Sequence, residues 1–230
     1  MRRSLLSLAL TSALAAGCAP GNPGLIVSNV VDPDDQCVYV VGGIARTIGY
    51  FDVGIPNNSY EAAFRFLNQL TNLSQSGVAG FPPMADPNVI QVQALEVEIR
   101  DIGNRPLAFF DGANPYTVPV GGTAVPSGDG MQGGEGIGFA QVIPPVYAAD
   151  LGEVAGTDAM IVVSVRAIGR TVGGAEVVSD EFIFPIQLCS GCLSVCLTDD
   201  MGEPLCRPTC LPGQDNVHIA CDASCIAGRT

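Results

Sequence analysis

The sequence predicts an all-β protein, an immunoglobulin-like antiparallel β-sandwich with a small disulfide-rich C-terminal extension. Short apolar runs alternate with polar residues along much of the chain, and turn-forming Gly, Pro, Asn and Asp separate these runs. A dense group of cysteines follows the last run. The hydrophobic fraction of 47% is too high for a disordered chain, and 230 residues suffice for one domain with a small appendage.

The first 17 residues have the composition of a bacterial export signal. Arg2 and Arg3 precede an uncharged stretch rich in Leu and Ala that is too short to span a bilayer as a helix. The residues that lead up to Cys18 resemble the lipobox of bacterial lipoproteins, although Ala15 stands where Leu is most common. The resemblance implies a lipoprotein signal peptide over 1–17, acylation of Cys18 and location at the outer membrane. The alternative is an ordinary secretory signal with Cys18 as a plain half-cystine.

Residues 37–188 are predicted to form the β-domain, and 18–36 are predicted to contain the acylated cysteine and a tether. Leu95, Val97 and Ile99 alternate with charged residues, as in a strand with one buried face and one solvent-exposed face. Further strands are predicted at Val38–Val41, Ile48–Val53, Pro106–Phe110, Tyr116–Val120 and Gly138–Ile143.

The last two strands are predicted to form an antiparallel hairpin. They are Met160–Val172 and Ala175–Leu188, with Gly173 and Gly174 between them. Two glycines between β-branched runs match a two-residue turn, which requires positive φ.

The segment 59–73 fits two structures. Phe66 and Leu70 lie at helical spacing, whereas Tyr60, Phe64 and Phe66 alternate as they would in a strand. A helix inside a sandwich needs a packing surface of its own. The strand is therefore the favoured interpretation, and the helix stays the alternative.

A long loop is predicted over Thr123–Gly138. The six residues from Gly128 to Gly133 match the G-x-G-x-x-G pattern of dinucleotide sites. Such a site needs a parallel strand before it and a helix after it, and neither is predicted here. Asp129 and Glu135 would also repel a pyrophosphate, so the pattern indicates a glycine-rich loop.

The tail over 189–230 is predicted to be a disulfide framework, because it has too few apolar residues to fold by hydrophobic burial alone. The chain has nine cysteines, and setting Cys18 aside leaves the even number that pairing requires. Seven of these eight lie in the tail, so one bridge is expected to join the tail to Cys37, with its partner left open. The predicted half-cystines are Cys37, Cys189, Cys192, Cys196, Cys206, Cys210, Cys221 and Cys225.

Two other chemistries fit part of the tail. Cys189 and Cys192 have the spacing of a zinc-ligand pair, and His218 is near in sequence, but the other cysteine spacings do not repeat that pair. The same spacing occurs in redox-active dithiols, which thioredoxin-like proteins place in a βαβ unit. Disulfides are favoured because exported proteins meet an oxidising compartment, and no metal site is predicted.

The composition weighs against several functions. A formal charge of −13 lacks the positive surface that nucleic acids need. His218 is the single histidine, so a Ser-His-Asp or Cys-His mechanism is not predicted, and neither is a cofactor. The carboxylates leave a two-acid glycosidase open, and Asp32–Asp35 leaves a calcium site open. Glu96 and Glu98, however, are most simply the solvated face of a strand.

Three distinctive segments lie toward the C-terminal end of the sequence. They are Arg166–Val177, Glu181–Cys192 and the Pro-Gly-Gln-Asp run that ends at Asp215. Together with the lipobox, they resemble a group of uncharacterised outer-membrane lipoproteins of myxobacterial type. The resemblance implies an outer-membrane-attached β-domain and implies no activity.

The favoured hypothesis is a non-enzymatic cell-envelope protein, lipid-anchored at the outer membrane, with a structural or interaction role. The alternative is a module that binds envelope polysaccharide or a protein partner, with assistance from calcium. A carboxylate-based hydrolase is the third hypothesis. A cleft with two carboxylates would favour the hydrolase, and a flat face of clustered tyrosines would favour the binding module.

Overall fold

The structure is a computed structural model that describes residues 24–34, 36–73, 85–110, 112–129, 132–193, 210 and 214–215. These residues form strands and one short helix, α1 (Pro145–Val154). The strands are β1 (Leu25–Val31), β2 (Ala45–Arg46), β3 (Gly49–Asp52), β4 (Tyr60–Asn68), β5 (Ile90–Asp101), β6 (Tyr116–Val125), β7 (Gly134–Ile143), β8 (Met160–Thr171), β9 (Glu176–Val178) and β10 (Phe182–Cys189).

The ten strands belong to one mixed sheet. Their order across the sheet is β2-β1-β4-β7-β6-β5-β8-β10-β3, and β9 pairs with β8. The pairing of β10 with β3 is parallel, and the other pairings are antiparallel. The predominantly β character that the sequence predicts is therefore confirmed.

The sheet folds over a single apolar core. β1 contacts β8 and β10, although those strands stand near the opposite end of the strand order. Val27 of β1 and Ile186 of β10 belong to the same buried cluster, and burial of such apolar area is the main favourable term in folding. The largest fully buried side chains are Tyr60, Phe51, Phe64, Phe66, Phe184, Leu25, Ile90, Leu95, Ile99, Ile143, Leu151 and Ile161.

The alternation predicted around Leu95 is confirmed in β5. Leu95 and Val97 are fully buried, whereas Glu96 is exposed. A β-bulge between Val92 and Ala94 interrupts the pairing of β5 with both β6 and β8. Because a bulge inserts one unpaired residue, it changes the core-facing positions from even-numbered to odd-numbered residues.

The predicted final hairpin is present with a longer turn. Thr171 donates its backbone N–H to the carbonyl of Ala175, so three residues form the loop rather than two. Gly174 has a φ of +96° in this loop, which is the positive value that the glycine pair predicts. The second arm is split into β9 and β10, because the Ser179 hydroxyl takes the place of a backbone acceptor between them.

The segment 59–73 is a strand over most of its length, as the favoured interpretation states. β4 lies between β1 and β7 and pairs with both. Asn68 ends the strand with a fully buried side chain, and its amide donates to the carbonyls of Asn88 and Val125. These bonds satisfy a polar group that would otherwise be costly to bury.

The predicted strand Val38–Val41 is wrong, because these residues lie in the loop between β1 and β2. The Asp34 carboxylate accepts the backbone N–H groups of Gln36 and Val38. A β-branched run forms a strand only where a neighbouring strand pairs with it.

The tether predicted over 18–36 extends too far along the chain. β1 begins at Leu25, and side chains of this strand pack in the core.

Three other boundaries need correction. Pro106–Phe110 is not a strand: Pro106 makes one isolated bridge to Arg100. The loop predicted over Thr123–Gly138 is shorter, because β6 continues to Val125 and β7 begins at Gly134. The sequence does not predict α1, whose first residue is Pro145, and proline is favoured at the first position of a helix.

Replacing a buried phenylalanine with alanine, and comparing the result with the same change at an exposed phenylalanine, tests the assignment of the core. Phe66 is fully buried and Phe110 is 70% exposed. We expect Phe66→Ala to lower the free energy of unfolding by about 3–5 kcal/mol, because it removes apolar contacts and leaves a cavity. The control, Phe110→Ala, should change it by less than about 0.5 kcal/mol. Urea denaturation measures both, and equal losses would contradict the assignment of Phe66 to the core.

Candidate functional site

The two ends of the sheet differ in the position of the disulfides and of the tail residues. At the tether end, the first residue of β1, Leu25, pairs with Asn68, and Ile90 pairs with Thr171. At the opposite end, which we call the cystine end, β3 and β10 finish side by side, with Asp52 paired to Cys189. The described disulfides and the described tail residues lie at the cystine end.

Four of the predicted half-cystines are described, and they form two bridges, Cys37–Cys210 and Cys189–Cys192. Cys18, the predicted lipid attachment site, lies outside the described residues. So do the remaining predicted half-cystines and the single histidine, which are Cys196, Cys206, Cys221, Cys225 and His218.

Cys37–Cys210 joins the tail to the loop that follows β1. The two residues are separated by 173 positions in the sequence, and their Cα atoms lie 5.3 Å apart. The sequence left the tail partner of Cys37 open, and the structure identifies it as Cys210. Cys37 lies in a loop rather than in a strand, and it has a φ of +62°, in the sparsely populated left-handed region.

Gln214 and Asp215 fill the space between β3 and β4. Gln214 forms an antiparallel bridge with Phe51, and Asp215 donates its backbone N–H to the carbonyl of Tyr50 at 2.8 Å. The Gln214 side chain accepts the N–H of Glu61 at 2.6 Å and donates to the carbonyl of that same residue. Two tail residues thus satisfy backbone groups of both strands.

The Asp215 carboxylate is largely buried within a polar network. It accepts a hydrogen bond from the Tyr60 hydroxyl at 2.6 Å and one from the Tyr50 N–H at 2.9 Å. Burial raises the pKa of Asp215, and the nearby Arg46 guanidinium and the two hydrogen bonds oppose that rise. Burial and the Asp215 charge also raise the pKa of Tyr60 well above its ordinary value.

The positive charge of Arg46 lies close to two carboxylates in this network. Its guanidinium forms an ion pair with Asp32 and lies 3.6 Å from Asp215. A cavity of about 10 Å³ remains among these groups, with Tyr39 also lining it. That volume holds one water molecule at most. In the part of the chain that the structure describes, these groups therefore close the cystine end.

The second bridge, Cys189–Cys192, lies beside the buried carboxylate of Asp52. One carboxylate oxygen of Asp52 accepts the Gly191 N–H at 2.8 Å, and the other accepts the Leu193 N–H at 3.1 Å. An oxygen of Asp52 and the two sulfur atoms lie within 4.8 Å of one another. Gly191 has a φ of +73°, which glycine adopts readily and other residues rarely adopt.

The two bridges contribute differently to stability. By the chain-entropy relation, cross-linking positions 173 residues apart is worth about 5 kcal/mol, whereas cross-linking positions three residues apart is worth about 2 kcal/mol. The Cys189–Cys192 loop is, moreover, already fixed by the hydrogen bonds to Asp52. The short bridge is therefore less needed for folding than the long one.

A charged cluster occupies the outer face of β5 and β8. Arg100 lies between Glu98 and Glu181, with 2.8 Å between its guanidinium and the Glu181 carboxylate. Arg166 lies 3.8 Å from Glu96. A hydrogen bond from Ser164 and the charge of Arg100 lower the pKa of Glu181. A general acid needs a carboxyl that is protonated near neutral pH, so Glu181 does not fit the general-acid role in a two-acid hydrolase.

The other sequence candidates are used by the fold itself. Asp32 pairs with Arg46, and Asp34 accepts two N–H groups of its own loop, so these carboxylates are already partnered. Asp129 accepts the Gln132 N–H in the connection between β6 and β7. A strand follows this glycine-rich connection, in place of the helix that a dinucleotide site needs.

The tyrosines do not form an exposed platform. All five lie within the described ranges, and none is exposed. Tyr116 and Tyr147 stack with ring centroids 4.2 Å apart, and Tyr39 packs edge-on against Phe139. Sugar-binding modules present aromatic faces to solvent, and this arrangement does not.

Sequence reasoning did not single out Asp52, Tyr60 or Gln214 as site residues. Asp52 has one local signal, an acidic residue at the end of an apolar strand, where a buried charge needs partners. Gln214 has no such signal, because its role depends on contacts with strands more than 150 positions earlier.

No protein-family model matches the chain, and the search of curated proteins finds no similar sequence. Among the described residues, none of the helical segments is both long and apolar enough to cross a membrane.

The raised pKa of Asp215 predicts a pH-dependent stability. A carboxyl whose pKa is higher in the native state stabilises the fold most when protonated, and that stability is lost as pH rises through the native pKa. We expect the wild type to lose stability relative to Asp215→Asn as pH rises from about 3.5 to 7.

The control for this prediction is Asp101→Asn. Hydrogen bonds from Arg105 lower the pKa of Asp101, so the wild type should gain stability relative to this variant as pH rises. Urea denaturation across the pH series measures both differences. A difference between wild type and Asp215→Asn that does not change with pH would count against the buried network.

Cyanogen bromide cleavage tests the long bridge directly. It cuts after Met84 and Met201, so Cys37 and Cys210 fall in separate fragments. We expect the fragment that ends at Met84 to stay linked to the fragment 202–230 without reductant and to be released from it by reductant. Cys37→Ala is the matched control, in which the two fragments should separate in both conditions. Two separate masses from the unreduced wild type would refute the bridge.

Proposed function

We propose that the chain is a lipid-anchored protein of the bacterial cell envelope, with an immunoglobulin-like β-sandwich and a non-enzymatic structural or interaction role at the outer membrane. The observation that carries the proposal is the Cys37–Cys210 bridge across 173 positions, because such disulfides persist in exported proteins. The export signal and the lipobox before Cys18 support the same location. A mostly antiparallel sheet folded over one core supports the sandwich.

The geometry supports an orientation for the anchored domain. Residues 19–24 connect Cys18 to β1 and span about 20 Å at most when fully extended. β1 begins at the tether end, so that end would face the bilayer. The cystine end, with both described disulfides, would then point away from the membrane, and the acidic surface would be repelled by anionic headgroups.

The interaction role has a specific candidate surface in the loop between β1 and β2. Val38, Val40, Val41 and Ile44 are each about half exposed or more. Exposed aliphatic side chains close together are typical of protein contacts. A protein partner is therefore favoured over a polysaccharide, since the tyrosines are not exposed and Asp34 is already partnered within its loop.

Replacement of Cys18 tests the anchor. We expect Cys18→Ser to move the full-length protein from the membrane pellet to the soluble fraction, because acyl chains attach through that sulfur. Intact-mass analysis of the wild type should give the chain from Cys18 onward plus its acyl groups. The control Ala19→Ser keeps the cysteine and should stay in the pellet. A wild-type mass equal to that of an unmodified polypeptide would overturn the proposal.

A further inference from the structure

The Cys189–Cys192 bridge joins an exposed residue to a half-buried one. Cys189 is the last residue of β10, and its carbonyl accepts the Val53 N–H at 2.8 Å. Cys192 is exposed, whereas Cys189 is half-buried. An attacking thiolate therefore has access to the Cys192 sulfur, and Cys189 is the natural leaving group.

The loop between the two cysteines does not depend on the bridge for its position. Asp52 is fully buried, and its carboxylate accepts the N–H groups on either side of Cys192, those of Gly191 and Leu193. Leu193 is itself buried. These contacts do not involve the sulfur atoms, so we expect them to remain when the sulfur–sulfur bond is broken and to keep the two thiols close enough to close again.

We propose that Cys189–Cys192 is an exchangeable disulfide that oxidises a dithiol of a partner protein through attack at Cys192. Asp52 acts as a positioning residue that holds the loop in both redox states. The partner is a protein because Cys192 is exposed and lines neither the cavity beside Asp215 nor the pocket at the charged cluster of β5 and β8. The inference rests on the cystine end alone and does not require the lipid anchor.

One turnover needs no further oxidant, because the Cys189–Cys192 disulfide itself accepts the two electrons. A partner thiolate attacks the Cys192 sulfur, the Cys189–Cys192 bond breaks, and Cys189 leaves as a thiolate that takes up a proton from solvent. The second partner thiolate attacks the partner sulfur of the mixed disulfide and releases Cys192, which is also protonated. The partner loses two electrons and two protons and gains a disulfide, and the Cys189–Cys192 disulfide is reduced to two thiols.

The other described disulfide, Cys37–Cys210, differs from Cys189–Cys192 in how it is held. Cys37–Cys210 is tied to the buried network through Gln214 and Asp215, which follow Cys210 closely in the tail. Its reduction would release a contact on which closure of the cystine end depends. Exchange is therefore expected to be confined to Cys189–Cys192 under native conditions.

The first experiment uses the full-length protein and a reduced synthetic peptide with two cysteines, under nitrogen. We expect one peptide disulfide per protein chain, with alkylation by iodoacetamide appearing at Cys189 and Cys192. Cys37 and Cys210 should stay unmodified. If no peptide disulfide forms, or if the long bridge is reduced at the same rate, the proposal is wrong.

The second experiment traps the intermediate with a matched pair of variants and the symmetrical disulfide of a peptide that has one cysteine. Cys189→Ser leaves Cys192 as an exposed thiol, and neither the protein nor the bound peptide then has a second thiol at this site to resolve the mixed disulfide, so a stable 1:1 adduct should accumulate. Cys192→Ser leaves only the half-buried Cys189, and its adduct should form at least about tenfold more slowly. Equal rates for the two variants would overturn the assignment of Cys192 as the attacked sulfur. Both variants keep Asp52 and the long bridge, so the fold is preserved in the comparison.

Discussion

Closure of one folded sheet at its cystine end is the constraint on which the structure depends. β3 has four residues and pairs with only β10 among the strands. Its free edge and the start of β4 are completed by Gln214 and Asp215, which arrive from the far end of the chain. Without these residues, backbone donors and acceptors at the edge of the core would be left without protein partners.

The same contacts explain why a charged group can lie within the fold. Asp215 would be expensive to bury alone, but a hydroxyl, a backbone N–H and the Arg46 guanidinium surround it. Polar networks of this kind tolerate few alternatives, because each member must meet its partners in one geometry. The network therefore selects one position for Gln214 and Asp215 as well as stabilising it.

Sequence patterning predicted the elements whose signal is local. The alternation in β5 and β8 reflects one buried face, and it survives in the structure because each residue's environment follows from its neighbours on the strand. The prediction failed at Val38–Val41, where β-branched residues have no pairing strand, and at β1, whose first residues looked like a tether. In both cases, pairing with strands far away in the sequence decides whether the segment becomes a strand. Such long-range pairing cannot be recognised from the pattern of one sequence.

The candidate site was predictable only in part for the same reason. The cysteine count indicated that Cys37 has a partner in the tail, but it could not select Cys210. The contact of Asp52 with the Cys189–Cys192 loop joins positions almost 140 residues apart. Spacing identified the cysteine pair, and only the fold supplied the carboxylate that holds it.

The separation of Cys37 from Cys210 has a consequence for biogenesis. A chain that is synthesised from its N-terminus presents Cys37 long before its partner is available, so this thiol must wait until nearly the whole domain has been made. Oxidation that comes too early would join Cys37 to whichever cysteine arrives first, which is Cys189 in chain order. The timing of oxidation relative to chain synthesis therefore decides whether the native disulfide or a wrong one forms.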